Sequence, residues 1–437
     1  MTDSTGPNLK IRLDHVTRVE GHGSIVVNIS TGKIEDCRWE VTEAPRFFEA
    51  MVRGRKWNEI HHITSRICGI CSIGHTLASL KATESAMGIC VSDQTVRLRK
   101  LALHAETLQS HILHVGYLVL PDLLGTGSVI PLAESHPEEL KRVIRIHRTA
   151  NELSNLICGR TTHPQRLVPG GFGKYPDPAE LVQMCEKLTK ALSDLKTVAG
   201  FVASVSSGLP SFSRETEYIA LKSGHGYPFY DGQIGSSDGG TWGPGQYKEV
   251  ANEFCVPHST AKYTRHNRES YMVGALARFN LNAARLSPEA RGVADSFGLV
   301  PVCCNSFMNN IAQLVECVHC VEDSIRIIDF LLQYGLVMED PEPVRARGGR
   351  GVSAIEVPRG ILFHDYTYDD AGTCTDANLV IPTNQNHKNI QHDLEALLPQ
   401  LLDKPQKEIE LGLEMLVRAY DPCISCSVHL LKVKFTG

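Results

Sequence analysis

Two short cysteine pairs set the chemistry open to this chain. Cys68 and Cys71 stand in Arg66-Ile67-Cys68-Gly69-Ile70-Cys71, and Cys423 and Cys426 in Asp421-Pro422-Cys423-Ile424-Ser425-Cys426, near opposite ends of 437 residues. A spacing of three in a helical or tight turn points both sulfurs of a pair to one side. Two such pairs form a four-sulfur site suited to zinc, an iron–sulfur cluster, or nickel with iron. Zinc staples usually draw close-spaced pairs from one small module, whereas here almost the whole chain lies between them. Each pair is also followed by a histidine, His75 and His429, and the second pair lies close to the C-terminus. These features weigh against a structural zinc site and leave the metal open.

The remaining reactive residues read more plainly. Cys317-Val318-His319-Cys320 repeats the spacing inside the strongest helical pattern, where a buried pair of free thiols is the expected reading. Cys158, Cys303 and Cys304 read as core in the same way. There is no dinucleotide fingerprint and no P-loop, so a nicotinamide acceptor, if one is used, belongs to another chain.

Composition excludes several classes. The chain is 42% hydrophobic and 21% charged with a formal net charge of −5, which argues against a nucleic-acid partner. No run approaches the ~18 apolar residues of a transmembrane helix. The first residues carry neither an apolar signal core nor twin arginines. Fourteen cysteines in that setting point to reduced thiols, metal chemistry and a cytoplasmic location.

The elements that must position the cysteines follow from periodicity. Residues 24–29 and 37–41 alternate as strands around a Thr31-Gly32 turn. Residues 92–120, 137–158, 178–203 and 311–332 carry helical spacing, the second opening on Pro137-Glu138-Glu139. Four long helices predict a central bundle. The Gly/Pro-rich 206–245 stretch reads as an irregular excursion, 351–363 as a second β region, and 389–419 as one C-terminal helix. Without repeats or linkers, one interwoven domain over 1–437 is expected.

The two cysteine strings, taken with their flanks, resemble the paired signatures of the nickel–iron hydrogenase large subunit. Thr17-Arg18-Val19-Glu20-Gly21-His22 is similar to that family's N-terminal motif, and Phe47-Phe48-Glu49 lies where it has a metal-binding glutamate. Pro358-Arg359-Gly360 and Val380-Ile381-Pro382-Thr383-Asn384-Gln385-Asn386 resemble its two late motifs. Any one of the shorter strings is weak evidence, but five in the family's order are strong. The fold implied is mainly α within the α/β class: a central bundle of long helices with small peripheral β-sheets.

The resemblance also implies roles. All four cysteines bind nickel, and Cys71 and Cys426 also bridge to an iron carrying cyanide and carbon monoxide, Fe(CN)2(CO). Cys423, a terminal ligand, accepts the proton released when H2 is split, and Glu20 passes it on. Arg359 lies over the open coordination position with Asp122 as its carboxylate partner. Thr383, following Pro382, donates to a cyanide, and His75 bonds to a bridging sulfur. Glu49 and His429 hold a separate Mg2+ or Fe2+, with further oxygen ligands not located. A maturation endopeptidase cuts after His429, which makes 430–437 a removable tail.

No cysteines remain for a relay of clusters, so the electrons leave through an iron–sulfur small subunit. The ending Cys-Ile-Ser-Cys-Ser-Val-His resembles the soluble multimeric branch, with further electron-transfer subunits of flavin/NAD(P) or heterodisulfide-reductase type. His258-Ser259-Thr260-Ala261-Lys262 and 272–278 also match that branch, their polar members expected to face the small subunit. Two other readings keep the same signatures: a regulatory H2 sensor, and a non-catalytic scaffold like the large subunit of respiratory complex I. The four cysteines count against the scaffold, which has no nickel to hold.

Overall fold

A computed structural model describes residues 9–339 and 345–428. Four long helices form its centre: Asp93–Leu113, Pro137–Cys158, Pro178–Val205 and Asn309–Tyr334. The first packs on the second, the second on the third, the third on the fourth, and the fourth again on the first, which closes a bundle. Their starts are encoded locally. Ser92 Oγ accepts the Thr95 N–H at 3.0 Å, Pro137 opens the second helix ahead of Glu138 and Glu139, and Asp177 with Glu180 forms a capping box. At its end the Asp93–Leu113 helix passes into a π-helical turn, His114–Val119, which turns His114 inward.

Small sheets surround the bundle. Leu9–Leu13, Gly23–Ser30 and Lys33–Val41 make an antiparallel meander whose tight turn holds Thr31 and Gly32 at positive φ. Gly349–Val357, Gly360–Tyr368 and Cys374–Val380 make a second antiparallel sheet, and the Ser72–Met87 helix lies across it. Gly351 permits this approach: a Cβ there would fall 1.9 Å from the Ala82 carbonyl oxygen.

Two expectations are corrected. The 206–245 stretch is not wholly irregular: Glu217–Lys222, Gln233–Ser236 and Thr241–Trp242 join Tyr271–Met272 in a four-stranded sheet. The strand at 217–222 is mostly buried and lacks the alternation that marks a strand in sequence, and its parallel partner Tyr271–Met272 lies about fifty residues on. The single helix expected over 389–419 is two helices, Pro382–Leu397 and Gln406–Ala419, with the 3-10 turn Leu398–Leu401 between. Pro399 and Pro405 remove the amide donors that a continuous helix would need.

Cys317, Cys320 and Cys158 are buried free thiols, as expected, whereas Cys303 and Cys304 are only partly covered. One large apolar cluster runs from Ile11 to Val428 and includes all four cysteines of the paired motifs. Among the described residues no helix is long and apolar enough to cross a membrane.

Candidate metal centre

Each cysteine pair is set by the start of a helical turn. Cys71 is the N-cap of the Ser72–Met87 helix, and Cys423 that of the short Ile424–Ser427 turn. Before it, Asp421 takes the left-handed conformation at φ 49°, which aspartate tolerates better than most residues. The two chain ends are laced together by backbone. The Ile424 N–H donates to the Glu20 carbonyl at 3.0 Å, and Glu20 forms a parallel bridge with Cys423. Gly21, at φ 83°, makes this contact possible, because a Cβ would sit 2.8 Å from Ile424 Cβ and the Ser425 nitrogen. Arg46, unnoticed in the sequence, donates to the Ile67 carbonyl at 2.7 Å and also to the Ser425 carbonyl, which ties the two cysteine loops to each other.

The result is a closed quartet. The sulfurs of Cys68, Cys71, Cys423 and Cys426 all lie within 4.8 Å of one another, and all four residues are buried. The Cys68 and Cys423 sulfurs are 3.5 Å apart, and Cys68 Sγ accepts the Ile70 and Cys71 N–H groups at 3.2 Å each. Among the described residues this is the group arranged to hold a metal. Protein atoms alone cannot ionise all four thiols. Hydrogen bonds from Cys423, Cys426 and Cys71 hold Cys68 well below the ordinary thiol range, while burial first, and then the neighbouring sulfurs, push Cys426 well above it. Four buried thiolates need a cation to balance them, and soft sulfur donors suit nickel and iron.

Arg359 lies against the quartet, fully enclosed. Its Nε donates to the Asp421 carbonyl at 2.5 Å and its Nη2 to Asp421 Oδ1 at 2.8 Å. Nη1 is buried and has no partner, so one donor of a fixed cation remains for a group held by the thiolates. Burial alone would lower this guanidinium, but Asp421 and the thiolates of Cys423, Cys68 and Cys71 prevail and hold it well above the usual arginine range. The expected pairing with Asp122 is thus corrected. Asp122 binds Arg18 at 2.5 Å and also Arg418, whereas Asp421, already inside the second cysteine motif, holds Arg359. Asp421 is itself fixed by Gln313 Nε2 at 3.0 Å, and Gln313 Oε1 meets His114 Nδ1 at 2.6 Å.

The other expected residues fall as follows. The Glu20 carboxylate accepts the Ser425 N–H at 3.1 Å and the Ser425 hydroxyl, so it sits on the turn between Cys423 and Cys426. Pro382 opens the Pro382–Leu397 helix, and Thr383 Oγ1 accepts the Cys423 N–H at 3.1 Å. His75 is buried; among the described residues its ring bonds to His364 at 3.2 Å rather than to a bridging sulfur. Burial pushes the His75 pKa down to about 4, so the ring is neutral near pH 7. Glu49 Oε1 accepts the Leu379 N–H at 2.8 Å, and His429, its expected co-ligand, lies outside the described residues.

Arg278 departs from the expectation that it faces a partner. It is fully buried, donates to Glu316 and Glu356, and binds the carbonyls of Val357 and Pro358 at 2.9 Å each, which fixes the strand end that carries Arg359.

Comparison with known proteins agrees with this geometry. A family model described as nickel-dependent hydrogenase matches residues 46–131 and 244–429, and one described as HoxL-like matches 10–44. The chain is 32% identical over 430 residues to the alpha chain of sulfhydrogenase 1 of Pyrococcus furiosus, covering 97% of this chain and 99% of that one. It is 29% identical to an F420-non-reducing hydrogenase of Methanothermobacter marburgensis, covering 97% and 95%. A solved NAD+-reducing [NiFe]-hydrogenase in the H2-reduced state superposes with a TM-score of 0.86 at 26% identity, covering 96% of this chain and 99% of that one. The chain belongs to the nickel-dependent hydrogenase family and is an oxidoreductase acting on H2.

Proposed function

We propose that this chain is the catalytic large subunit of a multimeric hydrogenase, and that the residues around the quartet divide the work of reversible heterolytic H2 cleavage. The observation that carries this reading is the buried four-sulfur cluster with the unpartnered Arg359 Nη1 beside it. Cys68, Cys71, Cys423 and Cys426 would hold a nickel–iron centre, with Cys71 and Cys426 as bridges. When bound, that centre supplies the site where H2 is split and its two electrons are taken up.

The protein's part is proton handling and positioning. Cys423 Sγ receives the proton, and Glu20, bridged to Cys423 through the backbone and anchored on Ser425, passes it outward. Asp421 keeps Arg359 fixed and charged, so that a cation faces the reacting site without reorganising. Thr383 accepts from the Cys423 N–H through its oxygen, which leaves its O–H to donate to a cyanide. His75 orients the Cys71 turn, its backbone N–H bonding the Cys71 carbonyl at 3.1 Å. Asp122 neutralises Arg418 and Arg18 nearby.

Further parts of the reading are a Mg2+ or Fe2+ at Glu49 and His429, endopeptidase removal of 430–437, and one interwoven domain in the cytoplasm. Electrons leave through an iron–sulfur small subunit packed near the Cys68 and Cys423 loops. The names of the relatives, a sulfhydrogenase and an F420-non-reducing hydrogenase, support the multimeric branch.

Metal analysis combined with infrared spectroscopy of the matured protein tests the proposal. Nickel and iron near one each, with cyanide and carbonyl stretches, are expected, and Cys426→Ser should lose both metals and bands. Zinc alone in a correctly matured sample, or normal H2 uptake by Cys426→Ser, overturns it.

A further inference from the structure

Away from the quartet, a cavity of about 650 Å³ opens between the Asp93–Leu113 and Asn309–Tyr334 helices and the loop at 223–231. That is the size of a small-molecule site. We infer that it binds a nucleoside phosphate, with the base against a wall of rings and the phosphate on two unpaired cations.

The wall is built from Tyr227, Phe229 and His319. Tyr227 and His319 lie 4.9 Å apart between centroids, and Phe229 and His319 lie nearly parallel at 6.5 Å. The Tyr227 hydroxyl is already used, donating to Glu316 at 2.7 Å, so this side chain offers a ring rather than a polar group. His319 Nδ1 accepts the Ser287 N–H at 3.1 Å. The ring proton therefore sits on Nε2, a donor with no partner among the described residues. Burial pushes the His319 pKa down to about 4, which keeps the ring neutral and able to stack. A heteroaromatic base offers both a π-face and ring nitrogens to such a wall, and stacking of this kind stabilises by about 1–3 kcal/mol per base in other systems.

The charges select the other half of the ligand. Three carboxylates line the cavity, and each is satisfied internally. Asp231 pairs with Lys81 at 2.6 Å, and Glu322 accepts the Glu289 and Ala290 N–H groups at 3.1 and 3.2 Å. Asp323 takes both His104 and Arg326. Lys100 and Arg285 also line the cavity, and neither has a hydrogen-bond or ion-pair partner among the described residues. The surplus charge is therefore cationic and is carried on side chains that suit a phosphate. A cationic ligand would find no free carboxylate here, and an aliphatic one would leave the His319 donor unmatched.

Calorimetry on the intact, metal-loaded hydrogenase complex tests the site, with AMP as probe and adenosine and ribose 5-phosphate as its halves. Saturable AMP binding is expected, at least tenfold tighter than either half. Lys100→Ala and Arg285→Ala should each weaken it about tenfold, and Lys190→Ala, a surface change elsewhere, should not alter it. Metal content and H2 turnover at wild-type levels establish that the variants are folded. The assignment is overturned if AMP shows no saturable binding at millimolar concentration. It is equally overturned if adenosine binds as well as AMP, or if neither cation variant weakens AMP binding.

Discussion

At the scale of single residues, the site is explained by which donors and acceptors are already spent. Glu20 binds Ser425, Asp421 binds Arg359, and the oxygen of Thr383 takes the Cys423 amide; what each leaves over is what a metal group or a moving proton can use. Glu20→Gln keeps the size and the contact with Ser425 but removes the group that accepts a proton. Nickel and iron should be retained while H/D exchange with solvent falls by about a hundredfold or more. Exchange at the wild-type rate would remove Glu20 from the proton path. The choice between Asp122 and Asp421 shows the limit of reading residues one by one. Both are aspartates beside a proline, and only the contact across 62 residues of chain separates the partner of Arg359 from an aspartate that pairs with Arg18 and Arg418.

At the scale of elements, the site depends on backbones that approach closer than side chains allow. The Ser72–Met87 helix carries Cys71 at its start and His75 in its first turns, and its position is fixed by the strand Gly349–Val357. Gly351→Ala would place a methyl group 1.9 Å from the Ala82 carbonyl and 2.6 Å from the Ala86 nitrogen, both backbone atoms that cannot rotate away. The variant is expected to lose about 1–3 kcal/mol and melt several degrees lower, with no cysteine touched. An unchanged melting temperature would show that this helix is not held by that strand. The bundle helices were legible because each carries its own periodicity and its own cap. The sheet at 217–242 was not, because a nearly continuous buried strand lacks the alternation that marks a strand in sequence.

At the scale of the whole molecule, a buried charge network links the bundle to the sheet that carries Arg359. Arg278 is shared by two fully buried carboxylates, which titrate apart. Burial would raise Glu316, yet Arg278 overrides it and holds its pKa down to about 2, whereas burial pushes Glu356 up to about 7 despite the same arginine. A carboxyl raised on folding binds more protons in the native state, so its contribution is complete below its unfolded pKa and is lost as pH rises through about 7. Thermal midpoints should therefore fall between about pH 5 and pH 8, and Glu356→Gln should flatten that fall by a few degrees. Equal pH slopes for the two proteins would exclude Glu356 as the source.

By itself, the sequence determined which atoms do the chemistry. The paired cysteines, Glu20, Arg359 and Thr383 stand in strings whose neighbours are as informative as they are, and spacing, caps and turn residues act over a few positions of chain. The tertiary structure alone decided how those atoms are held. Asp421 on Arg359, Arg46 across the two cysteine loops and Arg278 under the Val357–Pro358 carbonyls all join residues far apart in sequence. Their physical cause is burial: a charge taken out of water must find its partner wherever the fold places one.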